Sequence, residues 1–177
     1  MYLLIPLFTA LIAAGTFIKI PMIPVPITLQ TLFVFLAALL LNPTEAFLSV
    51  ALYILLGAIG LPIFTSGGGL AALLGPTGGF LFSMPIAALF GALVVKKDHK
   101  SIVRAILALI LMEVIIYVIG VGYLMYQRHM TLQKGLMAGF VPFIPGDIIK
   151  CIVAIIAAKY IYPEKEKLIE RRKAREE

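Results

Sequence analysis

The chain has 177 residues, of which 62% are hydrophobic and only 14% are charged, and its formal net charge is +6. A soluble globular domain is about half apolar and a quarter charged, so this composition excludes an ordinary soluble protein. Apolar runs of about 18 residues or more recur along the chain, which indicates a polytopic integral membrane protein with one domain.

Six apolar segments predict an all-α fold, a bundle of six transmembrane helices. Their predicted bounds are residues 3–20, 27–41, 44–59, 78–95, 102–123 and 136–160. The second and third segments are short for a full crossing, which takes about 20 residues. In this interpretation residues 1–163 form a single transmembrane domain, and residues 164–177 form a basic cytoplasmic tail.

The distribution of cations predicts that both chain ends are cytoplasmic. With the C-terminus placed inside, eleven of the fifteen lysines and arginines fall in the inner loops and the tail. The outer connections carry Lys19, Arg128 and Lys134, and the remaining cation is Lys150 within the last apolar segment. This asymmetry follows the positive-inside rule, so the positive charge reflects membrane orientation and not nucleic-acid binding.

Proline and glycine interrupt the chain at three places on the predicted outer side. The three regions are residues 20–30, 60–79 and 140–146, and the second contains the triple glycine 67–69. Both residue types break helices, and irregular backbone at membrane depth requires burial in protein or the lining of a cavity. We therefore predict that the three regions converge on one outward-facing pocket, with residues 61–80 folded back as a cap. The alternative is a set of ordinary hydrophobic loops.

Asp147 and Lys150 are ionisable residues in an otherwise apolar stretch over residues 135–160. A charge at the bilayer centre costs roughly 2.5–3.5 kcal/mol on insertion scales, so such residues are rare in membrane helices. Three residues apart on a helix, the two side chains lie on one face and can reach each other. The pair is either a salt bridge that holds helices together or a ligand clamp. In the clamp, Asp147 accepts from N–H donors and Lys150 meets a carboxylate.

Other polar and aromatic residues are candidates for the same pocket. Gln30 begins the second segment, where its amide can bind a cyclic urea or amide or can cap the helix. Glu113 in the fifth segment can pair with Lys150 or face a polar cavity. Four aromatic residues are predicted to form apolar walls, with plain packing as the alternative. They are Tyr53, Phe64, Phe80 and Phe143.

No catalytic or metal-binding pattern is found in the sequence. His99 and His129 fall in loops predicted to lie on opposite sides of the membrane, so they do not share a metal or a substrate. Residues 75–79 are glycine-rich but lack the lysine of a nucleotide-binding loop. We therefore expect that the chain is not an enzyme and holds no metal.

Small residues on the first segment predict contact with a partner helix. Ala10 and Ala14 form a small-xxx-small pattern, which lets another helix backbone approach closely. Ala13 and Gly15 widen the small-residue surface.

Four motifs along nearly the whole chain resemble those of the BioY family. They read PVPITLQTL from Pro24, YILLGAIGLPIF from Tyr53, GPTGGF from Gly75 and PFIPGDIIK from Pro142. BioY proteins are the substrate-binding S components of energy-coupling factor (ECF) biotin transporters. The resemblance implies a six-helix protein of the prokaryotic plasma membrane that captures biotin from outside. It also implies a transmembrane coupling subunit and a pair of ATPase subunits as partners.

The resemblance implies roles for individual residues. Gln30 and Asp147 would address the ureido ring of biotin, and Lys150 its valerate carboxylate. Ala10 and Ala14 match the small-residue motif through which S components contact the coupling subunit.

Two positions depart from the family pattern. Leu81 stands where some relatives carry an arginine as a second carboxylate contact, so the carboxylate would rest on Lys150 alone. The turn at residues 67–69 lacks the asparagine that some relatives carry, and backbone N–H groups of the glycines would replace its amide. Gly68 and Gly79 complete the set of predicted ligand contacts.

Two alternatives to a biotin-binding subunit remain open at this stage. If the chain were an S component for a different small vitamin, that vitamin would displace the bound ligand and biotin would not. A structural membrane subunit would bind no ligand, and replacing Asp147 and Lys150 together by apolar residues would then be harmless.

Overall fold

The computed structural model describes the backbone of residues 4–96, 98–99 and 101–176, and side chains among these up to residue 163. Helices make up most of this part of the chain, with one two-stranded hairpin. The elements in order are α1 (Leu4–Phe17), β1 (Lys19–Ile20), β2 (Ile27–Thr28), α2 (Gln30–Leu40), α3 (Pro43–Ala58), α4 (Leu70–Leu73), α5 (Gly78–Val95), α6 (Ile102–Arg128), α7 (Leu132–Gly139) and α8 (Ile144–Glu176).

Two of the described helices, α5 and α6, are long and apolar enough to cross a membrane. The pair α7 and α8 passes the same test when taken together, with a bend of 47° between them. Helices α1 to α3 are apolar but shorter. At 1.5 Å per residue, the 11 residues of α2 extend only about 17 Å, against a hydrocarbon core of about 30 Å. The described residues thus contain two or three candidate crossings by length and composition.

The last predicted segment is not one continuous helix. Residues 140–143 separate α7 from α8, where the sequence predicts a helix over 136–160. Gly139 and Pro142 lie at the break, and both residue types disfavour a helix interior. Pro145 is tolerated in the first turn of α8, because the N–H it lacks would have no partner within the helix. Helix α8 also continues to Glu176, into the predicted tail, whose side chains lie outside the described residues.

A hairpin replaces helix at the facing ends of the first two predicted segments. Strands β1 and β2 pair antiparallel, with Lys19 opposite Thr28 and Ile20 opposite Ile27. The six residues between the strands include three prolines, which lack an N–H donor and cannot continue a helix. Helix α1 therefore ends at Phe17 instead of residue 20, and α2 begins at residue 30 instead of 27.

Local capping sets the starts of α3 and α6. The Asn42 side chain accepts from the Glu45 N–H at 3.0 Å, and the Glu45 carboxylate reaches back to the Asn42 N–H at 3.5 Å, which forms a capping box. Ser101 caps α6 by accepting from the Arg104 N–H at 3.4 Å. Helix α6 runs past its predicted end at residue 123 and stops where His129 adopts a left-handed backbone, with φ of 50°.

His99 joins three elements at one end of the bundle. Its Nδ1 lies 3.0 Å from the Leu39 carbonyl oxygen near the end of α2, and its ring stacks on Tyr162 of α8 with centroids 4.5 Å apart. The α5–α6 connection therefore lies at this end. The hairpin precedes the start of α2, and the α3–α5 connection follows the end of α3. Both therefore lie at the opposite end of the bundle.

Gly79 permits close packing between α5 and α6, because a Cβ at this position would overlap the Tyr123 side chain. We expect Gly79→Ala to lower the free energy of unfolding by about 1–3 kcal/mol through overpacking. For a chain of this size that corresponds to a fall of roughly 2–12 °C in melting temperature, measured by circular dichroism in detergent. Gly122→Ala on α6 is the matched control, since a Cβ there meets nothing within 4 Å. Equal melting temperatures for the two variants would contradict this packing argument.

Candidate functional site

A cavity of about 60 Å³ lies among the hairpin, the starts of α2, α5 and α8, the middle of α6, and the α3–α5 connection. Its lining mixes polar side chains with apolar ones such as Leu81, Met84 and Ile116. A buried water needs about 10–15 Å³ of cavity volume measured in this way, so a cavity of about 60 Å³ has room for about four to six waters. A larger ligand therefore requires the surrounding elements to move apart.

Asp147 and Lys150 lie on the cavity wall in the first two turns of α8. The Lys150 ammonium is 2.9 Å from one Asp147 carboxylate oxygen, and the two residues are only 6% and 8% exposed. The sequence prediction that the two side chains reach each other is confirmed. Removing one partner of such a buried pair leaves an uncompensated charge, which is costly.

Each member of the pair also bonds to another helix. The Tyr117 hydroxyl of α6 donates to the second carboxylate oxygen of Asp147. Lys150 donates to the Thr31 hydroxyl of α2 at 3.0 Å. An ammonium has three N–H donors, so one remains without a partner among the described residues. The pair links three helices, which is compatible with both interpretations given above, and it also offers an unused donor.

Gln30 is buried as the first residue of α2 and lines the cavity. Its side-chain amide donates to the Met84 sulfur at 3.2 Å, and a thioether is a weak acceptor. Leu29 precedes helix α2 and gives it no side-chain cap, and the Gln30 N–H donates to the Thr28 hydroxyl at 3.3 Å. The alternative in which Gln30 caps this helix is therefore wrong.

Glu113 lines the same cavity from the middle of α6. Its Oε1 is buried and has no hydrogen-bond partner among the described residues. Within the described residues Lys150 pairs with Asp147 and not with Glu113, so the second alternative from the sequence, a face toward a polar cavity, is the one found. A buried acceptor without a partner costs about 1–3 kcal/mol.

Sequence reasoning missed Tyr117. The sequence feature that could have identified Tyr117 as a site residue is its position four residues after Glu113, which places both side chains on one face of α6. Its ring also packs edge-on against Phe140 and Phe80, at centroid distances of 4.8 and 6.5 Å. These contacts orient the hydroxyl that meets Asp147.

The predicted aromatic walls divide into two groups. Phe80 and Phe143 line the cavity, whereas Tyr53 and Phe64 are not among its lining residues. The Tyr53 hydroxyl donates to the Ile63 carbonyl at 3.0 Å, and its ring meets Phe64 edge-on with centroids 5.5 Å apart. Through this hydrogen bond and this ring contact, the two aromatic residues hold the α3–α5 connection against α3.

Gly68 and Gly79, predicted as ligand contacts, also lie outside the cavity lining. A Cβ on Gly68 would overlap the Leu61 carbonyl oxygen, so this glycine allows the connection to fold tightly on itself. Gly79 lies against Tyr123 on α6. Both glycines are thus close-packing positions in this conformation.

Ala10 and Ala14 are exposed on α1. Leu7 and Phe17, on the same face of the helix, are 51% and 64% exposed. The face with Ala10 and Ala14 is therefore not covered by another part of the described chain. Gly15, which the sequence also assigned to this surface, is instead buried against α2.

The described residues contain no group of three or more His, Cys, Asp or Glu side chains that could hold a metal ion.

The fold and the cavity define a helical membrane protein with a buried ion pair on the wall of a small cavity lined by polar and apolar side chains. Comparison with known families gives the more specific result. The BioY family model matches residues 1–167, and the chain belongs to the BioY family.

Individual relatives agree with this membership. The chain is 44% identical over 156 residues to the biotin transporter BioY of Thermotoga maritima, covering 86% of this chain and 89% of the relative. It is 40% identical over 157 residues to a probable biotin transporter BioY of Pyrococcus horikoshii, covering 88% and 92%. Among solved structures, the S component for biotin from an ECF-type ABC transporter matches with a TM-score of 0.80 and 32% identity. That match covers 89% of this chain and 88% of the other.

Proposed function

We propose that this chain is a biotin-binding S component that captures biotin for an ECF-type transporter. Membership of the BioY family and the biotin transporters among its relatives support the proposal. The observation that carries it is the Asp147–Lys150 pair on the cavity wall. The pair presents a charged acceptor and an unused charged donor side by side, which suits a ligand with both N–H groups and a carboxylate.

In the proposed complex, Gln30 and Asp147 bind the ureido ring and Lys150 binds the valerate carboxylate. Leu81 lines the cavity where a second cation would otherwise stand, so Lys150 is the cation assigned to the carboxylate. Phe80 and Phe143 provide apolar surface beside these polar groups.

The proposed arrangement in the membrane has six crossings and both chain ends in the cytoplasm. It rests on the apolar helices and on the cation distribution. The α3–α5 connection serves as a cap in this proposal, because Thr65 and Thr77 of that connection line the cavity. Lys19 donates to the Thr65 carbonyl at 3.1 Å and holds the connection against the hairpin. Biotin access requires this cap to lift, since the cavity is only about 60 Å³.

The proposed partners are a transmembrane coupling subunit and a pair of ATPase subunits. The exposed surface of α1 around Ala10 and Ala14 is the proposed contact with the coupling subunit, because small residues let a second helix approach closely. The remaining lipid-facing helices contact membrane lipid.

The test is isothermal titration of biotin into the detergent-purified protein after removal of co-purified ligand. The proposal expects saturable binding of one biotin per chain, which prior saturation with biotin abolishes and prior addition of an unrelated vitamin does not. Saturable binding of another vitamin, with no response to biotin, would instead favour an S component of different specificity. No binding at all would favour the structural subunit.

Glu113 is expected to act as a further hydrogen-bond acceptor for the ligand. We expect Glu113→Leu to weaken biotin binding about tenfold, because the variant has no oxygen to accept a ligand N–H. Glu113→Gln retains an acceptor oxygen at the same place and should bind within about threefold of the unmodified protein. Both affinities are measured by the same titration. Equal affinities for the leucine and glutamine variants would remove Glu113 from the contact set.

A further inference from the structure

A second site lies away from the cavity, in a groove of about 430 Å³ between α5 and α6. Its lining residues are Phe90, Leu93 and Val94 of α5 and Arg104 and Leu111 of α6. The three α5 residues recur at helical spacing and form one apolar stripe, and Leu111 lies two turns along α6 from Arg104. The groove is therefore apolar along its length, with one guanidinium near one end.

One nitrogen of the Arg104 guanidinium lacks a hydrogen-bond partner among the described residues. Its Nη1 is buried and makes no hydrogen bond within the described part of the chain. The lining of the groove contains no aspartate or glutamate that could pair with it. A buried charged donor is costly unless an acceptor, preferably an anion, meets it.

The position of Arg104 along α6 indicates where that anion comes from. Arg104 lies in the first turn of α6, directly after the Ser101 cap and close in sequence to the exposed Lys96 at the end of α5. In the proposed membrane arrangement this is the membrane–water boundary of two helices that are each long and apolar enough to cross the bilayer. Lipid phosphates lie at that depth, and the acyl chains of the same lipids run inward alongside the helices.

We propose that this groove binds one anionic phospholipid, with its phosphate on Arg104 and an acyl chain along Phe90, Leu93 and Leu111. The guanidinium suits phosphate oxygens because its donors form a planar fork. A free phosphate ion does not account for the apolar length of the groove, whereas a lipid uses both parts. The site is independent of the proposed biotin function, since none of its residues lines the cavity.

The test is native mass spectrometry of the full chain released from bilayer nanodiscs that contain equal amounts of phosphatidylglycerol and phosphatidylcholine. We expect one retained phosphatidylglycerol per chain, preferred over phosphatidylcholine by about fivefold or more. Arg104→Gln should abolish that preference. Arg128→Gln is the matched control, because it removes the same charge from the other end of the same helix and should leave the preference intact.

A second variant tests the apolar part of the groove separately from the charge of Arg104. Leu93→Trp fills the apolar part while leaving Arg104 in place, and we expect it to reduce lipid retention even though the net charge is unchanged. Circular dichroism and gel filtration verify that each variant is folded. The proposal is overturned by equal retention of the two lipids in the unmodified protein, by an unaffected preference in Arg104→Gln, or by displacement of the lipid with inorganic phosphate.

Discussion

Asp147→Asn is expected to weaken biotin binding by about a hundredfold or more, the largest effect of any single substitution in the cavity. The carboxylate meets Lys150 through one oxygen and Tyr117 through the other. An asparagine presents an NH₂ group at one of these places, so it either meets the Lys150 donor or makes the Tyr117 hydroxyl accept instead of donate. It also removes the charge that strengthens a hydrogen bond from a ligand N–H. The measurement is titration of biotin into the purified variant.

Asp98→Asn is the matched control for that substitution. Asp98 is an exposed acid in the α5–α6 connection, at the end of the bundle marked by His99. The control should bind biotin with unchanged affinity. Both variants should elute from gel filtration as a single species and retain the helical circular dichroism of the unmodified protein. Wild-type affinity in Asp147→Asn would remove the carboxylate from the ligand site.

Lys150→Met is expected to weaken biotin binding by about ten- to hundredfold but the binding of neutral biotin amide by less than about fivefold. The reason is that the ammonium is assigned to the ligand carboxylate, which the amide lacks. The ratio of the two affinities is the informative quantity, because any general loosening of the site weakens both ligands alike. Equal losses for biotin and its amide would mean that Lys150 acts only by positioning Asp147.

Replacing the pair together distinguishes a ligand clamp from a structural salt bridge. Lys150→Met alone leaves Asp147 buried without its cation, which costs about 3–5 kcal/mol of stability, whereas a double replacement by apolar residues is close to neutral. We therefore expect the variant Asp147→Leu with Lys150→Met to recover most of the melting temperature and still not bind biotin. An unmodified protein that binds no biotin, together with a stable double variant, would favour the structural subunit.

Helix positions were predictable to the extent that they depend on local chemistry. The start of α5 at Gly78 and its end at Val95 agree with the prediction, because glycine, proline and charged residues flank an uninterrupted apolar run. The interruptions at residues 20–30 and 140–146 were predicted from their prolines and glycines, but the strand pairing at 19–28 and the short helix α7 were not, because hydropathy does not distinguish apolar helix from apolar strand or turn. In both places the prolines that decide the outcome were visible in the sequence, but their effect depends on which backbone groups find partners in the folded chain.

The site was predictable where sequence neighbours form it. Asp147 and Lys150 are three residues apart on one helix, so their contact follows from helical geometry alone. Thr31 and Tyr117 contact the same pair from helices that are distant in sequence, and only folding brings them there. The same reason explains Tyr53 and Phe64, which were assigned to the cavity by residue type but fasten a connection beside it.

By itself the sequence determined that this is a membrane protein of the BioY type, with one ion pair that is costly to bury and a surface of small residues on its first helix. These properties depend on composition, on spacing within a helix and on motif order, all of which are local. The tertiary structure alone decided that Gln30, Glu113 and Tyr117 face the same cavity as the pair and that the cavity is small. It also decided that Arg104 lines a separate apolar groove, where its Nη1 finds no partner among the described residues. Those relations join residues far apart in the chain, and they are set by how the helices pack against one another.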